Sequence, residues 1–166
     1  MIHIYCGDGK GKTTAALGLA LRAAGAGWKV HIYQFMKGSP TSELVSLEKL
    51  GIQVKRLSRD YGFVKNMTEE EKQLVKSEHD ALLVECMRDD CDLIILDEIF
   101  SAVNKGVADK EKALQVMHLC SHFQDIVLTG RDPDREFLDA ADYITDMQSV
   151  RHPYQKGIAA RKGIEY

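Results

Sequence analysis

Short runs of apolar residues alternate along the chain with longer segments in which apolar positions recur every three or four residues. This alternation is typical of βα units whose strands form a parallel sheet. Leu93–Leu96 is apolar at consecutive positions, which indicates a strand covered on both faces. The pattern predicts a doubly wound α/β fold with a mostly parallel, six-stranded sheet. The predicted strands are Ile2–Cys6, Val30–Phe35, Gln53–Leu57, Leu93–Leu96, Ile126–Thr129 and Tyr143–Met147.

Helical periodicity and capping residues predict helices in the segments between these strands. Helices are expected over Thr13–Ala26, which is rich in Ala and Leu, and over Ser42–Leu50. Thr68 and Glu71 have the spacing of a capping box, so a long helix is predicted from there through Met87.

Two aspartates are predicted to cap later helices. Asp109 precedes a segment with an apolar stripe, and Asp132 precedes Pro133, a residue favoured at the first helical position. In a doubly wound sheet, ligands bind at the carboxyl ends of the strands. Chemistry is therefore expected in the loops after the first, second, fourth and fifth strands.

Length and charge narrow the classes of function. The chain has 166 residues, the size of one domain, so 1–166 is predicted to be a single domain. Its 22 Lys and Arg residues against 25 Asp and Glu residues give a net charge of -3, so no overall basic field recruits nucleic acid. No apolar run approaches the ~18 residues of a membrane span, and no leader peptide is recognisable. We expect a cytoplasmic protein with neither nucleic-acid nor membrane partners.

Cysteine and histidine spacing gives little sign of a metal centre. The four cysteines contain no CxxC pair and are predicted to be buried small side chains. His118 and His122 are four residues apart but lack an accompanying acidic motif, so they are predicted to lie on a solvated helix edge. The cysteines are Cys6, Cys86, Cys91 and Cys120.

A glycine-rich turn between the first strand and the first helix predicts a phosphate site. Glycines allow the backbone to approach phosphate oxygens, and a helix N-terminus favours an anion. Lys12 adds positive charge, and the Thr13 hydroxyl can join the coordination shell of Mg²⁺. The loop is one residue shorter than GxxxxGK[ST], since its first glycine stands one position after Cys6. The predicted phosphate-binding residues are Gly7, Asp8, Gly9, Lys10, Gly11, Lys12, Thr13 and Thr14.

An acidic pair follows the buried fourth strand. Asp97 and Glu98 emerge at the same sheet edge as the glycine loop, where carboxylates can hold Mg²⁺ directly or through water. One acid on the metal and one orienting water would also suit an ATPase. Arg131 closes the fifth strand, where it either binds phosphate or pairs with Asp132 or Asp134.

The last 16 residues are basic, with four basic side chains and one acidic one, whereas the rest of the chain is acidic. Residues 151–166 lack helical or strand periodicity. They are predicted to form an ordered strap that carries Lys156, Arg161 and Lys162 towards an anionic or amide-rich ligand, with a frayed solvated tail as the alternative.

Five segments together resemble the P-loop ATP:corrinoid adenosyltransferase family, also called cob(I)alamin adenosyltransferases. The segments are GDGKGKTTAALG, AGWKVHIYQFMKG, LIILDE, VLTGR and the terminal HPYQKGIAARKGIEY. The short glycine loop and the HPxxxGxxAxxGIE terminus are more specific than a generic phosphate loop. The resemblance covers nearly the whole chain.

The resemblance implies an enzyme that transfers the 5′-deoxyadenosyl group of ATP to cobalt(I) of cobalamin or a corrinoid precursor and releases triphosphate. It implies triphosphate binding by Gly7 to Lys12, with Lys10 and Lys12 neutralising charge. Thr13, Asp97 and Glu98 would form the Mg²⁺ shell, and Lys10, Lys12 and Glu98 would be the catalytic residues. ATP would be held so that its sugar carbon, and not its γ-phosphorus, faces the attacking cobalt.

The family also places aromatic residues of a mobile loop against the corrin, which aids reduction of cobalt(II). Phe63 matches such an aromatic, whereas Lys65 stands where tryptophan is frequent. Asp8 replaces the usual asparagine, and Ser101 stands where tyrosine is common. The resemblance further implies a homodimer and an electron-donating flavoprotein or other reductant.

Two other classes fit the phosphate loop less well. A nucleotide-switched ATPase of the ParA/MinD kind has a second lysine in its loop, but that lysine would fall at Gly7 here. A kinase or ATPase acting on the γ-phosphate would need a longer loop and an acceptor site.

Overall fold

A computed structural model describes residues 1–165 of the chain, apart from the side chain of Tyr154. Six strands form one sheet in the order β3-β2-β4-β5-β1-β6, and every neighbouring pair is parallel. The predicted doubly wound fold is confirmed, and each predicted strand boundary is correct to within one residue. The strands are β1 Ile2–Cys6, β2 Val30–Gln34, β3 Gln53–Arg56, β4 Leu93–Asp97, β5 Asp125–Thr129 and β6 Tyr143–Asp146.

The central strand β4 is buried along its whole length, as its continuous apolar run predicts. Ile94 and Leu96 belong to the apolar cluster on one face of the sheet, whereas Leu93 and Ile95 belong to the cluster on the other. Side chains alternate between the faces of a strand, so both faces must be covered to bury this sequence. Helices supply that cover on each side.

The helices follow the predicted periodicity, with one unpredicted addition directly after β4. The capping box of Thr68 and Glu71 is confirmed, and the Asp109 side chain accepts a hydrogen bond from the backbone N–H of Lys112 at 3.0 Å. The helices are α1 Lys12–Gly25, α2 Glu43–Lys49, α3 Glu69–Cys86, α4 Ile99–Asn104, α5 Lys110–Ser121 and α6 Arg135–Asp139. None of them is both long enough and apolar enough to cross a bilayer.

The predicted N-cap at Asp132 is wrong, because α6 begins two residues later. Asp134 caps it by accepting a hydrogen bond from the backbone N–H of Glu136 at 3.2 Å. Asp132 instead adopts a left-handed conformation with φ 49°, and its carbonyl accepts a hydrogen bond from Asn104 Nδ2 at 2.9 Å. A contact with a distant helix thus overrides the local Asp-Pro signal.

The cysteine and histidine expectations are confirmed. All four cysteines are buried and carry free thiols. His118 and His122 lie exposed near the end of α5. Because all six strands run in parallel, the carboxyl ends of β1, β2, β4 and β5 meet at one edge of the sheet, which we call the carboxyl edge.

Candidate active site

The glycine-rich turn forms a phosphate-binding loop between β1 and α1. Gly7 and Gly11 have φ values of 96° and 120°, in the region that favours glycine. Among the described residues, no side chain caps the start of α1, so its first-turn amides lack a side-chain acceptor there. Such an unpartnered helix N-terminus is a suitable place for an anionic oxygen.

Lys12 lies inside this loop. Its side chain turns back so that Nζ donates to the carbonyl oxygens of Gly7 and Gly9, both at 2.7 Å, and the residue is only 6% exposed. Burial lowers the pKa of Lys12, and the nearby Glu98 carboxylate opposes that effect. In the described part of the chain this cation is paired with carbonyl dipoles rather than with a carboxylate. A buried cation held in this way favours an incoming anion.

The loop is held from behind by the residues that follow β6. The backbone N–H of Gly9 donates to Met147 O at 2.6 Å, and a Cβ atom on either Gly7 or Gly9 would lie 2.5 Å from that same oxygen. Asp8, which stands where the family usually has asparagine, accepts a hydrogen bond from Ser149 N at 3.0 Å. Packing against this neighbouring segment therefore requires glycine at Gly7 and Gly9, independently of phosphate.

Asp97 is the central acid of the site. Its side chain is only 1% exposed, and Oδ1 accepts hydrogen bonds from the hydroxyls of Thr13 and Thr129, both at 2.8 Å. Oδ2 lies 2.7 Å from Lys37 Nζ. The structure brings Thr13 and Asp97 together as predicted, whereas Lys37 and Thr129 were not predicted. The only sequence signal for both was their position after β2 and at the end of β5.

Glu98 stands beside this acid in a left-handed conformation, with φ 64° and ψ 20°. Its backbone N–H donates to Thr129 Oγ1 at 2.9 Å, and its carboxylate accepts a hydrogen bond from Ser101 Oγ at 2.6 Å. Ser101, a departure from the family pattern, therefore orients the Glu98 side chain. A left-handed non-glycine residue costs conformational energy that the surrounding contacts must offset.

Arg131 lies at the same edge without an acidic partner in the described residues. Of the two aspartates considered for it, Asp134 pairs with Lys110 Nζ at 2.8 Å. The carbonyl of Arg131 accepts a hydrogen bond from Asn104 Nδ2 at 3.0 Å, which fixes its backbone. Its guanidinium is exposed and available to an anion.

These groups surround a cavity of about 570 Å³, which lies within the size range of small-molecule sites. The Thr41 hydroxyl, in its wall, is buried and has no hydrogen-bond partner in the part of the chain that the structure describes. The cavity brings together the predicted residues Asp8 to Thr14, Glu98 and Arg131. It is lined by Asp8, Gly9, Lys10, Gly11, Lys12, Thr13, Thr14, Leu17, Lys37, Thr41, Ser42, Glu43, Ser46, Glu98, Arg131, His152, Gly163, Ile164 and Glu165.

The C-terminal segment meets the cavity differently from the prediction. Gly163, Ile164 and Glu165 line it, whereas the basic residues expected to face a ligand do not. One of those, Arg161, pairs with Glu165 at 3.3 Å through Nη2. Residue 166, the last of the predicted strap, lies outside the described residues.

Phe63 is not brought to the cavity. Its side chain is 74% exposed, and Lys65 Nζ lies 5.9 Å from the centre of its ring. The loop is anchored at Tyr61, whose hydroxyl donates to Glu78 Oε1 at 2.5 Å. An exposed aromatic on an anchored loop suits contact with a large apolar ligand, but it belongs to a separate surface here.

A second group of metal-ligand types lies away from the cavity. Potential ligand atoms of His31, Asp89 and Cys91 are within 4.8 Å of one another. His31 Nδ1 is 2.7 Å from the Asp89 carboxylate, and Cys91 Sγ donates to Leu93 O at 3.3 Å. Burial raises the pKa of Cys91 to about 12, which keeps it a thiol. We interpret this group as a closed hydrogen-bond network.

Comparison with known proteins identifies similar chains. Residues 1–166 match the family described as ATP:corrinoid adenosyltransferase BtuR/CobO/CobP. The corrinoid adenosyltransferase of Escherichia coli K12 is 30% identical over 100% of this chain and 85% of its own length. That of Pseudomonas aeruginosa PAO1 is 31% identical over 100% and 83%. Among solved structures, flagellar accessory protein FlaH from Methanocaldococcus jannaschii has a TM-score of 0.57 at 12% identity, covering 87% of this chain and 69% of that one, which shows the fold alone.

Proposed function

Since the chain belongs to the ATP:corrinoid adenosyltransferase family, we propose that its carboxyl edge holds ATP by the triphosphate and presents the adenosyl carbon to a corrinoid cobalt. The activity is ATP-dependent adenosyl transfer to a corrinoid. The nucleotide-switch alternative is not favoured.

The proposed triphosphate site rests mainly on the buried Lys12 ammonium. It sits within a loop of backbone amides and is paired only with carbonyls in the described residues. A triphosphate would supply the missing negative charge. Lys10 and Arg131, both exposed at the cavity, would neutralise its outer oxygens.

The oxygen-rich side of the cavity fits Mg²⁺. Thr13, Asp97 and Glu98 offer hydroxyl and carboxylate oxygens, the ligand type that Mg²⁺ prefers. The Thr41 hydroxyl is a further buried oxygen, without a partner among the described residues. Bound Mg²⁺ would neutralise part of the triphosphate charge. Lys37, now paired with the Asp97 carboxylate, is placed to exchange that partner for a phosphate oxygen.

The transfer requires no protein nucleophile, because cobalt(I) itself attacks. Its electron pair forms the Co–C5′ bond, the C5′–O bond breaks, and that bonding pair leaves with triphosphate, so cobalt becomes formally cobalt(III). The protein must align C5′ with cobalt and stabilise negative charge on the leaving oxygens. Lys12 and the α1 amides act on that charge.

We further propose that the protein forms a homodimer and that an external electron donor, a flavoprotein or other reductant, converts cobalt(II) to cobalt(I). Phe63, which is exposed on its loop, would contact the corrin during that reduction.

The test is to mix the protein anaerobically with Mg-ATP and chemically reduced cobalamin and to identify the products. We expect triphosphate together with a light-sensitive cobalt–carbon spectrum. ADP and orthophosphate without that spectrum would contradict the proposal and favour attack on the γ-phosphate.

A further inference from the structure

Three consecutive residues of α3 together hold three loops. Glu78, His79 and Asp80 point their polar atoms at segments that follow β3, β2 and α4. Because these segments surround the carboxyl edge, α3 is a common support for them. Glu78 accepts from Ser58 and Tyr61, His79 contacts Met36 and Val107, and Asp80 accepts from Asp109.

His79 is the fully buried member of the three, with 0% exposure. Its Nδ1 lies 2.7 Å from the carbonyl of Val107, and its Nε2 lies 3.0 Å from the backbone N of Met36. A carbonyl can only accept and an amide N–H can only donate. The ring must therefore be neutral, with its proton on Nδ1. Burial lowers the pKa of His79, in agreement with this state.

The residue held by Nε2 is conformationally unusual. Met36 has φ 62°, a left-handed conformation for a side chain other than glycine. The preceding residue, Phe35, places its ring 5.2 Å from the His79 ring and its N–H 2.9 Å from Asp97 O. His79 thus contacts both residues that lead from β2 into the loop.

The next residue in that loop is Lys37, which lines the cavity and pairs with Asp97 Oδ2 at 2.7 Å. A side chain begins where its backbone places it, so fixing the Met36 peptide fixes the origin of Lys37. We propose that His79 is a positioning residue of the active site: its imidazole holds the Met36 N–H and thereby aims Lys37 at Asp97 and the triphosphate. The inference rests on the proposed function, because Lys37 acts on phosphate only if the cavity binds ATP.

Two substitutions separate the two hydrogen bonds of His79. In His79→Gln, the longer amide reaches the Nε2 position and its oxygen can accept from Met36 N–H. In His79→Asn, the shorter amide ends near the Nδ1 position and can serve Val107 but not Met36. Each variant loses one ring contact in the same buried place, so they are matched for stability.

The measurements are the affinity for Mg-ATP by calorimetry and kcat/KM for ATP in the transfer assay, with melting temperatures for each variant. We expect His79→Gln to stay within ~3-fold of the parent, and His79→Asn to lose about 10-fold in both quantities, the usual scale for one lost hydrogen bond to a positioned group. Losses of equal size in both variants that follow their melting temperatures would show a merely structural histidine and overturn the proposal.

The decisive test is to introduce His79→Asn into a protein that already carries Lys37→Met. If His79 acts through Lys37, His79→Asn should add less than ~2-fold to the loss already caused by Lys37→Met, because coupled residues are not additive. A full additional loss would overturn the proposal. Should His79→Asn fail to fold, Lys37→Met alone must weaken Mg-ATP binding, and unchanged binding would overturn it. A parent protein that binds Mg-ATP but forms no Co–C bond refutes the transfer reaction, while the binding comparison still tests His79.

Discussion

Two buried aspartates stand at opposite ends of the same pair of strands. Asp97 ends β4 at the carboxyl edge, whereas Asp89 precedes β4 at the amino edge, and their side chains are 1% and 3% exposed. Each has a lysine beside it: Lys37 lies 2.7 Å from Asp97, and Lys55 lies 3.6 Å from Asp89. Asp89 lines a groove of about 660 Å³, and two partners of Asp97, Thr13 and Lys37, line the smaller cavity of about 570 Å³.

Their other partners differ in kind. Asp97 accepts from two threonine hydroxyls, one of which belongs to the phosphate-binding loop. Asp89 accepts from Tyr33 OH at 2.6 Å, from His31 Nδ1 at 2.7 Å and from the backbone N–H of Cys91 at 3.2 Å. Burial raises the pKa of Asp89, but the hydrogen bonds from Tyr33 and His31 lower it, and the net pKa is about 2.

The difference shows that a buried, charged acid beside a groove is not sufficient for a site. The partners of Asp89 form a closed set that joins the end of α3 to β2. Thr13 and Lys37, two of the partners of Asp97, line a cavity that also contains the buried Lys12 ammonium and helix amides that no side chain caps within the described residues. Only the group around Asp97 therefore offers positive charge that an anionic ligand can balance.

The strongest test of this contrast is to remove a lysine from each edge. Lys12→Ala should lower kcat/KM for adenosyl transfer by at least ~10³-fold, because the leaving triphosphate loses its buried cation. Lys55→Ala, the matched control at the amino edge, should change it by less than ~2-fold. Steady-state assays on both variants measure kcat/KM for the transfer, and circular dichroism verifies that each variant is folded. Similar activity losses would remove the functional distinction between the two edges.

Exchanging each aspartate for its amide should separate activity from stability. Asp89→Asn should lower the free energy of unfolding by about 3–5 kcal/mol, the usual effect of breaking a buried charge network, and leave turnover per folded molecule unchanged. Asp97→Asn should cost about 100-fold in turnover with a smaller loss of stability, because Lys37 is partly exposed and can turn to solvent. Denaturant unfolding and transfer assays on both proteins decide this. The reversed pattern would place the functional acid at the amino edge.

Much of the carboxyl edge was predictable because its signals are local. The alternation of short apolar runs with segments of helical period predicted the six strands, and the continuous apolar run of β4 also predicted its burial on both faces. The phosphate-binding loop and the Asp97–Glu98 pair each occupy a few adjacent positions directly after a strand, so placing the strand placed the chemistry.

Two partners of Asp97, Lys37 and Thr129, could not be predicted, because folding and not a local motif brings them to it. Lys37 and Thr129 lie 60 and 32 positions from it along the chain. The contact of His79 with Met36 spans 43 positions and depends on a left-handed residue that carries no glycine signal. The network around Asp89 was missed for the same reason, since none of its members forms a motif.

The pKa of Asp89 predicts a pH dependence specific to the amino edge. The carboxyl has a lower pKa in the folded protein, about 2, than its ordinary value of 3.8. Its stabilisation is therefore complete above pH ~4 and is lost as pH falls towards 2, and it amounts to about 2 kcal/mol. The stability difference between the parent and Asp89→Asn should shrink by that amount between about pH 6 and pH 2. Denaturant titrations across this range test it, and a constant difference would contradict the assignment.

The smallest expected effect concerns two exposed phenylalanines, one at the carboxyl side of the sheet and one at the amino side. Phe63 follows β3 on the carboxyl side and is 74% exposed, whereas Phe123 precedes β5 on the amino side and is 90% exposed. Neither side chain is buried, so replacing either with alanine should leave the melting temperature nearly unchanged.

Phe63→Ala should nevertheless slow the reaction that starts from cobalt(II) and a reductant by about 10-fold, equivalent to 1.4 kcal/mol of lost corrin contact. The reaction that starts from chemically generated cobalt(I) should change by less than ~2-fold, because it bypasses reduction. Phe123→Ala should affect neither. Equal losses from both cobalt states in Phe63→Ala would exclude this side chain from the reduction step and leave it a general binding contact, since only a role in reduction separates the two starting points.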